Sequence, residues 1–328
     1  MPANLPPDYF AAEERFRAAR TPEDKIEALE EMLAVMPKHK GTDKLKAMLR
    51  ERISKFRSQA QERKGTGKQK TAYSIEKEGA AQAVIVGPPN TGKSALVALV
   101  TNASPEVAPF PHTTHKPTPG MMEYENIQFQ LIDTPPISPQ YVDPSLLDLL
   151  RRTDIVIVML DLQADPMGQY EETLNILHEA RLYSPQCRLP DNLTKRPFIK
   201  KFLVVVNKMD RPEDKEGLEI FTELSGVAQP LLGLSVKTGL NMSALPEKLF
   251  SIAEIVRVYT KRPGKEADLT APFILPAGGV VEELAARIHK EFALKLKYAR
   301  IWGRAVRDGQ MVQRNYVLQD GDIVEFCI

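Results

Sequence analysis

Residues Gly87-Pro-Pro-Asn-Thr-Gly-Lys-Ser94 decide how the rest of the chain is read. They fit the pattern G-x-x-x-x-G-K-S/T, and their neighbours supply the setting that pattern needs. Ala83–Val86 reads as a buried strand entering the turn, and Ala95–Val100 as the first turns of a helix leaving it. A strand, a glycine-rich turn and a helix start point successive backbone N–H groups at one spot, where the helix dipole adds partial positive charge. A phosphate is held there by backbone alone. Gly87 and Gly92 allow the turn its unusual backbone angles. Asn90, Thr91 and Ala95 complete the cradle, Lys93 reaches the outer phosphates, and the Ser94 hydroxyl is placed for Mg²⁺.

With 328 residues the chain has room for two or three domains, each with its own core. Lys+Arg 44 against Asp+Glu 43 excludes a partner recruited by bulk charge, so any nucleic-acid surface must be a local patch. Cys187 and Cys327 fit no metal spacing, and so few thiols suit a reducing compartment. The start, Met1-Pro-Ala-Asn-Leu-Pro-Pro-Asp8, has neither a basic segment nor an apolar one, so no signal peptide is expected. The longest apolar runs, such as Ile155–Leu160, have the length of strands. A soluble, cytoplasmic protein with no membrane partner is the expectation.

Three regions follow from patterning. Residues 1–70 read as a helical hairpin and linker: Thr21-Pro22-Glu23-Asp24 caps a helix with Ile26, Leu29, Leu33 and Met36 on one face. Pro37 and Gly41 interrupt it, and Leu45, Met48, Leu49, Ile53 and Phe56 form a second stripe. Bases outnumber acids between Lys38 and Lys70, which is either a solvated face or a contact for an RNA backbone. Residues 80–262 alternate strand and helix, the signature of an α/β domain with a mostly parallel sheet. Its expected strands are Ala83–Val86, Ile127–Ile132, Ile155–Leu160, Phe202–Val206 and Leu231–Leu234, and its helices Lys93–Thr101, Tyr170–Arg181 and Ala244–Tyr259. Tyr183–Lys201, broken by prolines, reads as a surface excursion. Residues 268–328 read as a small α+β unit in which a mixed sheet wraps a helix.

Polar signatures fall just after the strands, where ligands of such sheets sit. Asp133 ends Leu131-Ile-Asp133 and is placed to hold the Mg²⁺ shell. Asn207-Lys208-Met-Asp210 follows another apolar run. A carboxylate at Asp210 accepts from both N1–H and the exocyclic amine of guanine, a donor pair adenine lacks. Asn207 braces that loop, the stem of Lys208 covers the base, and Ser235-Val236-Lys237 offers backbone N–H to the guanine carbonyl. A P-loop ATPase or nucleotide kinase is the competing class, and Asp210 argues against it.

In this order the motifs resemble the translation-factor class of P-loop GTPases. Pro109–Met122, reading PFPHTTHKPTPGMM, resembles switch I of the Obg/DRG branch. The tail from about Thr270 resembles the TGS domain, a ubiquitin-like β-grasp unit, in the runs Leu294–Gly303 and Val317–Asp322. The resemblance spans nearly the whole chain. It implies a switch that binds GTP and GDP, hydrolyses GTP with Mg²⁺, and acts on ribosomes or RNA through its flanking domains, with a protein partner or activator. It also implies that Thr113 or Thr114, with Thr114 the first choice, closes on Mg²⁺ and the γ-phosphate.

This chain departs from the family pattern at two positions. Pro136 stands where the family has a glycine whose N–H contacts the γ-phosphate, and proline has no N–H. Ile137 stands where many GTPases carry a glutamine that orients water. A low intrinsic rate follows, with a GTP-gated binding module as the alternative. Asn90 is either a ligand for K⁺, as in family members that use the ion in place of an arginine finger, or a loop former. The chain is also short for the extra domain that DRG proteins insert in the GTPase fold. His112 and His115 read as polar loop residues rather than metal ligands. Lys290, Lys295, Lys297, Arg300, Arg304 and Arg307 with Tyr298 and Trp302 form either an RNA-facing patch or an ordinary β-grasp surface.

Overall fold

The computed structural model describes residues 11–12, 14–16, 22–36, 48–49, 52–53, 73–103, 116–140, 142–190 and 193–327. The chain forms two compact units, 1–71 and 72–328.

In the first unit, helix α1 (Pro22–Ala34) starts at the proline that the capping pattern predicts. Its Leu29 and Met32, with Met36 just beyond it, are buried together with Ala12, Leu49 and Ile53. Ile26 and Leu33 flank this cluster half-buried. Two apolar stripes therefore meet as expected, but Met32 takes a central place and Met48 is exposed. Leu45 and Phe56 lie outside the described residues.

The second unit is built on two sheets. The first has six strands in the order β2-β3-β1-β4-β7-β8. They are β1 (Ala81–Val86), β2 (Thr118–Tyr124), β3 (Ile127–Asp133), β4 (Ile155–Asp161), β7 (Lys201–Asn207) and β8 (Leu231–Gly233). All pairings are parallel except β2 with β3, a hairpin at one edge. Every residue of β1 and β4 is buried, as a strand covered on both faces requires. Alternation sends Val84 and Val86 to one face, against α3 (Pro144–Arg152), α4 (Pro166–Glu179) and α5 (Asp214–Ser225). Ala83 and Ile85 go to the other, against α2 (Lys93–Val100) and α6 (Ala244–Ala253).

Two of these helices carry start signals. Asp143 caps α3 by accepting from Ser145 N at 2.8 Å, with Pro144 in the first turn and Leu146, Leu149 and Leu150 buried. Asp165 caps α4 through Gly168 N at 3.0 Å, ahead of Pro166. That helix therefore begins four residues before the expected Tyr170. The segment 182–199 adds a short parallel pair, β5 (Leu182–Tyr183) with β6 (Phe198–Ile199).

One expectation is corrected. The helix anticipated over Ala244–Tyr259 stops at Ala253, and Glu254 takes a left-handed φ of 49°. Ile255–Thr260 is a strand, β9, in the second sheet. β-Branched Ile255, Val256, Val258 and Thr260 suit a strand, and alternation buries Val256 and Val258. The second sheet runs β10-β9-β13-β11-β12. Its other strands are β10 (Phe273–Pro276), β11 (Tyr298–Trp302), β12 (Gln310–Val312) and β13 (Ile323–Cys327). The pair β13–β9 is parallel and the rest are antiparallel. Val281, Leu284 and Ala285 of α7 (Val281–Ile288) pack on Val258, Leu275, Ala299, Ile301 and Val324, and α8 (Lys290–Lys295) follows. A mixed sheet around one main helix is the β-grasp architecture the sequence predicts.

Candidate nucleotide site

Four loops converge beyond the carboxyl ends of β1, β3, β7 and β8, the edge at which parallel sheets bind ligands. The first is the turn between β1 and α2. Gly87 (φ 153°) and Gly92 (φ 98°) take angles that side chains avoid, and Asn90 joins them at φ 64°. A Cβ on Gly87 would overlap the Met159 carbonyl of β4, and one on Gly92 would overlap the Asn207 side chain. The turn is thus pressed against two neighbouring strands. Gly92 is also the residue that precedes α2, so the open N–H groups of the helix start lie at the turn. Thr91 and Lys93 are buried and Asn90 is exposed.

Lys93 donates to the carbonyls of Gly87 at 3.0 Å and Pro88 at 2.6 Å. Burial pushes its ammonium down to about 8, against the pull of Asp133. Asp133, fully buried at the end of β3, accepts from the Ser94 hydroxyl at 2.6 Å. Desolvation raises its carboxyl, opposed by the Ser94 bond and by Lys93. The other oxygen, Oδ1, has no hydrogen-bond partner among the described residues. An acceptor left open beside a serine hydroxyl is a donor set that suits a hard divalent cation such as Mg²⁺. Thr134 next to it is held by its hydroxyl on Ile85 O at 2.6 Å.

On the other side of the concavity Asn207 is 3% exposed and ties two loops together. Its amide donates to Thr91 O at 2.8 Å, and its carbonyl accepts from Val236 N at 3.1 Å. The brace expected of Asn207 is in place. The same contact takes the Val236 N–H that the sequence offered to a base. Asp210 accepts from the Ser235 hydroxyl at 2.7 Å and lies 3.7 Å from the Lys237 ammonium. Ser235 also receives Thr238 N at 3.0 Å. One carboxylate is thereby fixed at the mouth of the site.

Two contributors escaped the sequence reading. Asp161 ends β4 and holds the Lys208 ammonium at 2.5 Å, while Gln163 donates to Lys208 O at 2.9 Å. Lys208 itself has φ 70°. The signal was an acid at a strand's carboxyl end, the same signal that marked Asp133. Ile137 is 3% exposed in the core beneath α3, and its N–H donates to Gly87 O at 3.2 Å. Its side chain anchors the segment after β3. Thr113, Thr114, His112 and His115 lie outside the described residues. Among the described residues no three His, Cys, Asp or Glu side chains gather as a metal cluster, and no helix is long and apolar enough to cross a membrane.

Residues 82–208 match the family described as 50S ribosome-binding GTPase, and residues 256–328 match the TGS domain. An uncharacterized GTP-binding protein of Methanocaldococcus jannaschii is 28% identical over 363 residues, covering 93% of each chain. GTP-binding protein 1 of Schizosaccharomyces pombe is 25% identical over 357 residues, covering 92% of this chain and 98% of that protein. Developmentally-regulated GTP-binding protein 2 of Homo sapiens is 24% identical over 361 residues, with the same two coverages. The second match begins inside β9, so the sheet that the structure separates from the six-stranded one is also a separate family unit. The chain thus carries a P-loop GTPase fold followed by a TGS domain, and over most of its length it is similar to GTP-binding proteins that include the developmentally-regulated GTP-binding proteins.

Proposed function

We propose that this protein is a GTP-hydrolysing switch whose nucleotide state is read by ribosomes or RNA. The observation that carries the reading is that Lys93, Ser94, Asp133, Asn207 and Asp210 gather at the carboxyl end of one sheet, tied to the turn and to each other's loops. In this reading the phosphates lie on the turn of Gly87, Asn90, Thr91, Gly92, Lys93, Ser94 and Ala95. Lys93 then exchanges two loop carbonyls for phosphate oxygens. Ser94 and Asp133, together with Thr114, would hold Mg²⁺, which would supply positive charge against the phosphates. Asp210 reads guanine, positioned by Ser235 and Lys237, while Asn207 and Lys208 shape the base slot.

Hydrolysis needs a group that this segment does not supply. Pro136 has no N–H, and Ile137 is a core residue. We infer that the side-chain carbonyl oxygen of Asn90 would hold K⁺ beside the phosphates, where the ion would supply positive charge. The exposed position of Asn90 beside the concavity supports this role, although its left-handed angle equally suits a loop former. Turnover faster in K⁺ than in Na⁺ at equal ionic strength, with the difference lost in Asn90→Ala, is the expected result. Equal wild-type rates in both salts would return Asn90 to the loop role.

The base choice is tested by Asp210→Asn. Guanine affinity is expected to fall roughly tenfold or more, about 1.4 kcal/mol or above, while xanthine affinity rises. Unchanged GTP affinity would remove Asp210 from the site. Co-sedimentation with ribosomes in GTP and GDP states tests the partner. A bound fraction identical in both states would contradict a ribosomal readout.

A further inference from the structure

A second concavity of about 420 Å³ lies at the opposite end of the six-stranded sheet, near the amino ends of β1, β4 and β7. One wall comes from that sheet, with Asp154, Lys200 and Lys201. The other comes from the second sheet and its helix, with Ile255, Ile274 and Arg287. The cleft is therefore bounded by both domains of this unit and is remote from the nucleotide turn.

Its charge is unbalanced. Asp154 is paired with Lys77 at 2.5 Å and also accepts from Gln82 N at 3.0 Å. Lys201 is paired with Glu254 at 2.9 Å and donates to Ala253 O at 2.6 Å. Lys200 and Arg287 make no ion pair with a carboxylate among the described residues. Lys200 donates to Thr153 O at 2.8 Å, and Arg287 donates to Ile274 O. An ammonium has three donors and a guanidinium five, so each keeps donors after these bonds. Burial, then the nearby Lys77, disfavours the charged form of Lys200, and Asp154, already paired with Lys77, opposes them only in part. Two cations without a paired carboxylate among the described residues, beside apolar Ile255 and Ile274, give the cleft the mixture of apolar surface and polar groups that small-ligand sites use.

We propose that this interdomain cleft binds a small phosphorylated molecule, its phosphate held by Arg287 and Lys200 and its body resting on Ile255 and Ile274. A guanidinium presents paired donors to phosphate, and a lysine adds a point charge. The cleft's volume is at the lower end of the range for ligand sites, enough for a mononucleotide-sized body and too small for a folded macromolecule. Because the two cations come from different domains, the ligand would bridge them.

The test uses the full chain saturated with Mg·GDP, so that the guanine site is filled. Adenosine 5′-monophosphate, inorganic phosphate, adenosine and a twelve-nucleotide single-stranded RNA are titrated by calorimetry. Saturable binding of the monophosphate and of phosphate, with none by adenosine, is expected. Lys200→Met and Arg287→Ala should each weaken the monophosphate at least tenfold while GDP affinity stays within twofold, which also reports correct folding. Absence of saturable binding by both phosphate probes, or binding unchanged in both variants, would overturn the site. Binding of RNA alone would replace the small ligand with a nucleic acid and equally defeat the proposal. Loss of GDP binding in the wild type would instead count against the guanine reading, so the two failures are distinguishable.

Discussion

Two ionic clusters in this molecule, one buried and one partly exposed, are built on opposite principles. At the nucleotide turn, Lys93 and Asp133 are both pushed toward neutrality by burial, and Asp133 keeps an oxygen without a partner among the described residues. At the seam between the two sheets, Arg257 of β9 is 13% exposed and nearly every donor is engaged. It meets Asp320 through Nη2 at 2.7 Å and Nε at 3.0 Å, and it also meets Glu125. Its guanidinium sits 4.7 Å from the centre of the Phe250 ring. Bonds to Asp320 raise its pKa above the ordinary arginine value, outweighing desolvation. The adjacent Asn126 adds a 2.5 Å bond to the Tyr259 hydroxyl and a 3.2 Å bond to Leu269 O. Charge satisfied by its neighbours holds structure, and buried charge left wanting marks a place for a ligand.

That contrast breaks if the two lysine and arginine sites respond alike. Lys93→Met should weaken GDP binding about a hundredfold, roughly 2.7 kcal/mol, because a charge-assisted contact to phosphate is lost. Thermal unfolding of the nucleotide-free variant should stay within about 1 kcal/mol of wild type, since the removed charge was poorly solvated in the fold. Arg257→Met should do the reverse. Unfolding by urea is expected to show a loss of about 1–2 kcal/mol, solvent screening of the exposed Glu125 and Asp320 limiting the effect, and GDP affinity should not move. A variant of Arg257 that lost nucleotide and kept its stability would erase the distinction.

Smaller changes sharpen the same comparison. Asn126→Ala removes one bond to Tyr259 and one to Leu269 O, and about 1 kcal/mol of stability should go with them in a urea titration. Arg257→Met and Asn126→Ala together should cost less than the sum, because both act on one seam. The smallest effect expected is that of pH through His178, which stacks on Tyr183 at 4.7 Å away from both clusters. Burial lowers its pKa, so the folded state binds fewer protons than the unfolded one below the ordinary histidine value. Stability is then complete above about pH 6.5 and declines as pH falls below it, levelling off under the folded pKa. His178→Phe should flatten that part of the melting-temperature profile. A profile unchanged in the variant would assign the decline to other groups.

The residues that gather beyond the carboxyl ends of the first sheet could be picked out because they sit in short runs: a glycine turn, or a strand ending in a polar residue. Asn207 could be named as a brace from one such run, though not that it would take the Val236 N–H, which depends on how two loops meet. The Lys208–Asp161 pair was missed for the same reason, since 47 residues separate its members. The seam was invisible to pattern. Arg257 sits among apolar residues that continue the periodicity of α6, and a helix running to Tyr259 fits them as well as a strand does. Tertiary pairing with β10 and β13 decided the matter. Helix α3 went unread although Asp143-Pro144-Ser145 states its start.

The place of β13 in the second sheet has a consequence for how that domain assembles. Ile323–Cys327 lies between β9 and β11, parallel to the first and antiparallel to the second. Until it arrives, β9–β10 and β11–β12 are two separate hairpins with no strand in common. During synthesis the six-stranded sheet, complete by β8, is free to form first, while the second domain waits for residues made more than 60 positions after β9 began. A ribosome stalled before Ile323 would thus carry a finished nucleotide fold attached to an unclosed partner, with Val258 and Ile301 still exposed to water.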